Sequence, residues 1–208
     1  MIEHLLAEVK LSISWGLVLV TMVVGALRLA AAFSSEVAQT WVLLVPVLKF
    51  LFPALFPFAL FQLLEREKGW RTLEVLAATP KRKASVFGLR AGLSLAPAVL
   101  ATMTLRPSEL LAVLASGLAL GGLCLVVSVL AGEEVGFGLS LAWWGSSLAL
   151  SFQALGNPRL LSWFMLFDCI PLSPKELFMR RVVHLSAGLF LLGLGLALAD
   201  HKRSWSAR

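Results

Sequence analysis

Six long apolar segments, separated by mostly short polar joins, dominate the pattern of hydrophobic and polar positions along the chain. They span roughly residues 14–33, 41–63, 84–104, 109–131, 135–155 and 178–199. A helix needs about 20 mainly apolar residues to cross a bilayer, and each segment is close to that length. The pattern predicts an all-α, polytopic membrane protein with six transmembrane helices, in which residues 1–208 form a single transmembrane domain.

The residues before the first apolar segment have a helical pattern of their own. One face of a helix over 1–13 would collect the apolar side chains Ile2, Leu5, Leu6, Val9 and Ile13. This pattern predicts an N-terminal amphipathic helix that lies along the inner membrane surface. A frayed lead-in to the first span is the alternative.

A second irregular stretch, 156–177, precedes the last apolar segment. Its apolar part, residues 160–167, is too short to cross a bilayer, and Pro158, Pro171 and Pro174 interrupt the stretch. Short apolar segments of this kind are more often interfacial or re-entrant than spanning. We therefore expect a re-entrant external element before the last helix, with a simple external loop as the alternative.

Composition excludes a soluble globular domain. The chain is 59% hydrophobic and only 14% charged, whereas soluble domains carry about 25% charged residues. The net charge of +6 gives no reason to expect a nucleic-acid partner, because basic residues in a membrane protein mainly report orientation. If both termini are cytoplasmic, the inner side holds more basic residues (Lys10, Arg66, Lys68, Arg71, Lys81, Arg82, Lys83, Lys202, Arg203 and Arg208) than the outer side (Arg106, Arg159, Lys175, Arg180 and Arg181). We therefore expect a multi-pass protein of the cell (inner) membrane with cytoplasmic termini.

The join at 64–83 is an ordered polar connector between two spans. Thr72 is a suitable N-cap for a short helix that ends before Pro80. Leu73, Leu76 and Ala77 would share one face of that helix by their i, i+3, i+4 spacing. A short helix with an apolar stripe and flanking carboxylates suits a cleft on a soluble partner, whereas an ordinary basic loop is the alternative.

This connector resembles the permease subunits of the ABC-2 type transporter family. Their pattern is an acidic stretch after the second span, then a glycine, a Thr-Leu-Glu-x-Leu run and a Thr-Pro pair. This chain has these elements in order, with Trp70 and Arg71 between the glycine and the threonine, where the family pattern runs directly on. The resemblance implies that the connector contacts an ATP-binding subunit through Glu65, Glu67, Gly69, Thr72, Leu73, Glu74, Leu76, Thr79 and Pro80.

The resemblance also implies the assembly and the activity. We expect the membrane-spanning permease subunit of an ATP-driven ABC transporter, an exporter, with two ATP-binding subunits and a second permease chain, identical or homologous. No Gly-Lys pair of a P-loop occurs in the chain, so we expect no enzyme activity in it and no cofactor, with ATP and Mg held by the partner subunit. A haem-export-type permease is a related alternative. Neither the substrate nor the identity of the second permease follows from the sequence.

Three basic residues fall inside predicted spans, where ionisable side chains are candidates for function. We expect Arg28 and Arg90 to extend toward the two membrane surfaces. Lys49, about eight residues into the second span, is the candidate for a translocation pathway or an anionic substrate group.

An alternative of a different class rests on Ser116 and His184, which suggest a rhomboid-like intramembrane serine protease. A serine and a histidine can form a nucleophile and its base. Leu114, however, stands where the rhomboid Gly-x-Ser-Gly motif has its first glycine. The scattered histidines and cysteines have no metal-ligand spacing, so no metal site and no catalytic residue is predicted.

Overall fold

The computed structural model describes residues 13–69, 83–152, 166–167 and 173–206, and all regular secondary structure in these ranges is helical. Within these described ranges six helices follow one another: α1 (Trp15–Phe33), α2 (Ser35–Gly69), α3 (Lys83–Thr102), α4 (Pro107–Ala131), α5 (Glu133–Phe152) and α6 (Pro174–Ser206). The all-α prediction is thus confirmed. The predicted amphipathic helix over 1–13 lies outside the described residues except for Ile13.

Four helical stretches are long and apolar enough to cross a membrane. Among the described residues these are Trp15–Phe33, Ser35–Glu67, Glu109–Ala131 and Pro174–Ala199. The apolar part of α3, Val86–Thr102, is shorter, and α5 is not among the four. The membrane-protein prediction is confirmed at this level.

The second helix is much longer than the bilayer core is thick. It has 35 residues and continues through Pro46, Pro53 and Pro57, so none of these prolines ends it. At 1.5 Å per residue it is roughly 50 Å long, whereas the hydrocarbon core measures about 30 Å. Its charged last turns therefore extend beyond the apolar part of the helix.

Local backbone preferences at Pro107 and Gly132 account for the bounds of α4. Pro107 stands in the first turn of α4, where its fixed φ suits a helix and its missing N–H costs nothing. Gly132 joins α4 to α5 with a φ of 109°, a conformation that a residue with a Cβ rarely adopts.

The start of α6 corrects the predicted boundary of the segment 156–177. The Ser173 hydroxyl accepts a hydrogen bond from the Glu176 amide at 3.3 Å, and Glu176 Oε2 accepts one from the Ser173 amide at 3.0 Å. This reciprocal capping box starts the helix at Pro174, so residues 174–177 belong to α6. Most of the segment, 156–165 and 168–172, lies outside the described residues.

Side-chain contacts fix the relative directions of the central helices. A Cβ on Gly117 would lie 2.5 Å from the ring of Phe56, and one on Gly121 would lie 3.3 Å from Leu60. The contacts advance together along α4 and α2, so these two helices are parallel. Gly122 opposes Leu191 and Leu125 opposes Gly195 in the same manner, so α6 is parallel to both.

The remaining helices run the opposite way. Arg90 and Ser94 of α3 contact Glu67 and Ala59 of α2, respectively, so the numbering falls in one helix as it rises in the other. In α5, Ser140 bonds Leu120 of α4 while Gly136 lies against Cys124 and Ser128. The first helix is antiparallel to α2 as well, because Arg66 bonds Ile13 and Arg28 stacks over Trp41.

Helix direction therefore alternates along the chain. The start of α1, the end of α2, the start of α3 and the α4–α5 turn lie at one end of the bundle, which we name the Glu67 end. The α1–α2 join at Ser34, the α3–α4 turn and the start of α6 lie at the other, which we name the Glu109 end.

Candidate functional site

A buried ion pair closes the Glu67 end between α2 and α3. Arg90 Nη1 donates to Glu67 Oε1 at 2.5 Å, and each side chain is only 5% accessible. The prediction that Arg90 extends to a membrane surface was wrong. It is held inside because α3 runs antiparallel to α2 and brings Arg90 level with the Glu67 carboxylate.

A second bond at this end links α2 to the residues that precede α1. Arg66 Nη1 donates to the carbonyl oxygen of Ile13 at 2.9 Å. Consecutive residues of α2 therefore hold the lead-in of the first helix on one side and the start of α3 on the other. A displacement of the last turn of α2 would therefore move both Ile13 and Arg90, which are bonded to it.

The predicted contact residues for an ATP-binding subunit are only partly described. Glu65 is exposed on α2, and Gly69 is the last residue of that helix. Glu67 is buried against Arg90, which leaves its side chain almost no surface for a partner. Outside the described residues lie Thr72, Leu73, Glu74, Leu76, Thr79 and Pro80.

A pocket lies toward the Glu109 end, between α2, α4 and α6. Its volume is about 210 Å³. Lys49, the pathway candidate from the sequence, lines it and forms an ion pair with Glu109, with 2.5 Å between Nζ and Oε1. Arg181 of α6 also lines the pocket. An ion pair inside an apolar helix pack is costly to build and is typical of functional positions in membrane proteins.

The second oxygen of Glu109 is the unusual atom of this pocket. Glu109 Oε2 is buried and accepts no hydrogen bond from any residue that the structure describes. Buried carboxylate oxygens are normally paired, because a lost hydrogen bond to water must be replaced. This oxygen is enclosed by protein and has no hydrogen-bond donor in the described part of the chain.

Leu166 and Phe167 form part of the pocket wall. The Ser116 hydroxyl donates to the Leu166 carbonyl oxygen at 2.6 Å, and the rings of Phe50 and Phe167 meet edge to face at 4.8 Å. Trp144 of α5 donates its indole N–H to the Phe50 carbonyl at 2.8 Å. The first two contacts hold Leu166 and Phe167 against α4 and α2.

The hydrogen bond from Ser116 to the Leu166 carbonyl argues against Ser116 as a nucleophile. A nucleophilic serine donates its proton to a base, but Ser116 donates to a backbone carbonyl, which cannot accept the proton in a reaction. His184 is 7% accessible and faces the bundle interior. This geometry does not favour the protease alternative.

The sequence indicated Lys49 as a candidate but did not indicate Glu109 or Arg181, which line the same pocket. Glu109 stands in the first turn of α4, and Arg181 lies in the second turn of α6, next to the almost fully buried Arg180. The available signal was the position of both residues at the edges of predicted spans. Their convergence on Lys49 depends on the parallel packing of α2, α4 and α6.

No group of three or more His, Cys, Asp or Glu side chains that could hold a metal ion occurs among the residues that the structure describes. Comparison of the chain with models of protein families, with curated proteins and with solved structures finds no match.

Proposed function

We propose that this chain is the permease subunit of an ATP-driven ABC-2 type transporter and acts as an exporter. In this proposal it crosses the cell membrane six times with both termini in the cytoplasm. Two copies of an ATP-binding subunit and a second permease chain complete the assembly. The connector 64–80 carries the movement of the ATP-binding subunits into the membrane.

The observation that carries the proposal is the buried Glu67–Arg90 pair at the base of the connector. The connector begins at the end of α2 and finishes at the start of α3, and this pair locks those two helices together at 2.5 Å. The Arg66–Ile13 bond adds the first helix to the same unit. A force applied to the connector would therefore move several helices at once, as a coupling element requires.

The alternation of helix direction supports six spans. Contacts between neighbouring helices give an up-and-down order for the six described helices, although in the described part of the chain only four stretches meet the length and hydropathy expected of a span. In a membrane, the up-and-down order would place both ends of the helical bundle on the same side. It would also put the connector on that side, next to the positively charged residues 81–83.

The test is co-purification with an ATP-binding protein from native membranes. The chain is solubilised in mild detergent, and wild type is compared with the double variant Glu74→Arg, Leu76→Asp. We expect the wild type to retain a protein that binds ATP and hydrolyses it, and the variant to lose it, because the changes place charge on the apolar stripe and reverse a flanking carboxylate.

The matched control is Glu36→Arg, Lys175→Glu, which changes charge at two exposed positions of the Glu109 end. It is expected to retain the partner. If the wild type recovers no ATP-binding protein under conditions that preserve its fold, the transporter proposal fails.

A further inference from the structure

Arg28 of α1 is a charged side chain on the outer surface of the helical bundle. It is exposed and lies within the apolar span Trp15–Phe33. In the described part of the chain no carboxylate pairs with its guanidinium, which instead stacks over the Trp41 ring of α2, 5.8 Å from the ring centroid. A charge at membrane depth is costly when nothing balances it, so an anion from outside the chain would stabilise the structure at this position.

The Trp41 ring is a fixed support for this guanidinium. It is only 7% exposed and belongs to a core cluster with Val24 of α1, Phe52 of α2 and Ala101 of α3. The face of an aromatic ring attracts a guanidinium and orients its plane. The N–H donors on the edge of that plane make no hydrogen bond to a described residue, so they are available to a ligand.

The level of Arg28 along the bundle suits a lipid head group. Arg28 stands five residues before Phe33, the last residue of α1, which is about 7.5 Å of helix. The polar interface of one leaflet is roughly 5–8 Å deep, so a long basic side chain at this level extends to the lipid phosphates. The exposed side chains of Leu27, Leu29 and Val42 adjoin Arg28 or Trp41 in the sequence and offer apolar surface to acyl chains.

We propose that Arg28 and Trp41 form a binding site for the phosphate of an anionic phospholipid, of the phosphatidylglycerol class, in the leaflet at the Glu109 end. The planar guanidinium donates two parallel N–H bonds to one phosphate, and Trp41 holds the plane in position. A zwitterionic head group is less suitable, because its ammonium would be repelled by the guanidinium. The exposed Glu36, farther out on α2, is screened by water and salt.

This site does not depend on coupling to an ATP-binding subunit. Its failure would leave the proposed function standing, and the reverse also holds.

The first experiment compares two lipids that have the same acyl chains. The purified chain in a non-ionic detergent is titrated with dimyristoyl phosphatidylglycerol or dimyristoyl phosphatidylcholine, and bound lipids are counted by native mass spectrometry. We expect the first phosphatidylglycerol to bind about fivefold more tightly, as the attraction between one basic side chain and an anionic lipid surface predicts. Equal affinity for the two lipids would overturn the proposal.

Two variants of Arg28 separate the charge from its geometry. Arg28→Gln removes the positive charge, so we expect the preference for phosphatidylglycerol to fall below about twofold. Arg28→Lys keeps the charge but has no planar fork to stack on Trp41, so we expect a preference between those of the wild type and the glutamine variant. A lysine variant with the full wild-type preference would contradict the role given to Trp41.

The matched control is Arg106→Gln, which removes the same charge at another exposed position of the Glu109 end. It should retain the wild-type preference. If it loses as much as Arg28→Gln does, the preference comes from total charge and the site is wrong. Circular dichroism of each variant establishes that the helices are retained, and the comparison of lipids on the wild type needs no substitution.

Two further measurements test other occupants of this face. A large excess of inorganic phosphate should not displace the bound lipid, because a free ion gains nothing from the apolar surface that the acyl chains cover. Displacement would assign the site to a soluble anion and overturn the proposal. The same spectra report the ratio of monomer to dimer. If Arg28→Gln changes that ratio and leaves lipid binding unchanged, the face meets a second copy of the chain and the lipid site is wrong.

Discussion

In the described part of the chain, ion pairs join α2 to α3 near the Glu67 end and to α4 toward the Glu109 end. Glu67 pairs with Arg90 of α3, and Lys49 pairs with Glu109 of α4. The first pair is almost fully enclosed by protein, whereas the Lys49 side chain is 38% accessible and lies beside a pocket. The enclosed pair is suited to holding helices together, and the accessible one is suited to meeting a ligand.

At the residue scale, Glu67→Gln is expected to destabilise the chain. It removes the Glu67 carboxylate from the buried Arg90 guanidinium, and loss of one member of a buried ion pair costs about 3–5 kcal/mol. We expect a clear fall in the melting temperature of the detergent-solubilised chain, measured by differential scanning fluorimetry. Glu65→Gln, two residues away and exposed, should leave the melting temperature unchanged.

The double variant Glu67→Leu, Arg90→Leu gives the complementary result. Replacing both members of a buried pair by apolar residues removes the unpaired charge, and the outcome is often neutral or stabilising. We expect it to regain most of the stability lost by Glu67→Gln. If the double variant is as unstable as the single one, the pair is not the source of the loss.

At the scale of elements, the close approach of α4 and α6 depends on glycines. A Cβ on Gly188 would lie 2.6 Å from the backbone of Leu118 and Ala119, and one on Gly122 would lie 2.8 Å from the Gly188 carbonyl. Backbone atoms cannot rotate away as side chains can. Small residues that allow two helices to approach in this way are characteristic of packing in membrane proteins.

Gly188→Ala is therefore expected to separate α4 from α6 and to lower stability. Overpacking of this kind costs about 1–3 kcal/mol. The matched control is Gly193→Ala on the same helix, where an added Cβ meets nothing within 4 Å. A thermal-unfolding comparison should show a loss for the first variant and none for the second, and equal melting temperatures would contradict the packing.

The start of α6 depends on the Ser173–Glu176 capping box. Ser173→Ala removes the side-chain acceptor for the Glu176 amide, and losing such a cap costs about 0.5–2 kcal/mol. We expect faster hydrogen exchange in the first turn of α6, measured by mass spectrometry, with the rest of the helix unchanged. Ser146→Ala, an exposed serine that bonds a carbonyl within α5, is the control and should not alter exchange in α6.

At the scale of the whole molecule, the alternation of helix direction predicts which residues share a side of the membrane. In a variant without the native cysteines, single cysteines replace Glu36 or Lys175 at the Glu109 end, and Glu65 or Glu134 at the Glu67 end. All four positions are exposed. We expect a membrane-impermeant maleimide to label the first two in intact cells and the last two only after permeabilisation.

The pairs of positions make the labelling result specific. If the cysteines at 65 and 134 are labelled in intact cells and those at 36 and 175 only after permeabilisation, the bundle is inserted in the opposite orientation. The cytoplasmic assignment of the connector is then wrong. If the two members of one pair behave differently, the up-and-down order of six helices does not hold in the membrane. Labelling of the cysteine-free background sets the zero level for each condition.

The sequence by itself determined the class of the molecule and the positions of most helices. Runs of apolar residues are local, and a helix that satisfies its own backbone is the structure such runs adopt in an apolar surrounding. This is why the predicted segment 14–33 agrees closely with α1 (Trp15–Phe33). The Ser-x-x-Glu capping pattern that begins at Ser173 is likewise a feature of adjacent residues, and it could have been used to predict that α6 begins at Pro174.

Only the tertiary structure decided which residues meet. Glu67 and Arg90 are 23 positions apart and Lys49 and Glu109 are 60 apart, and nothing in the composition of a span says which of its faces meets a neighbour. Those pairings depend on the direction, depth and rotation of whole helices, which are set by glycine contacts such as Gly117 against Phe56 and Gly188 against Leu118. The pocket beside Glu109 therefore came from packing, because it forms only where three parallel helices meet.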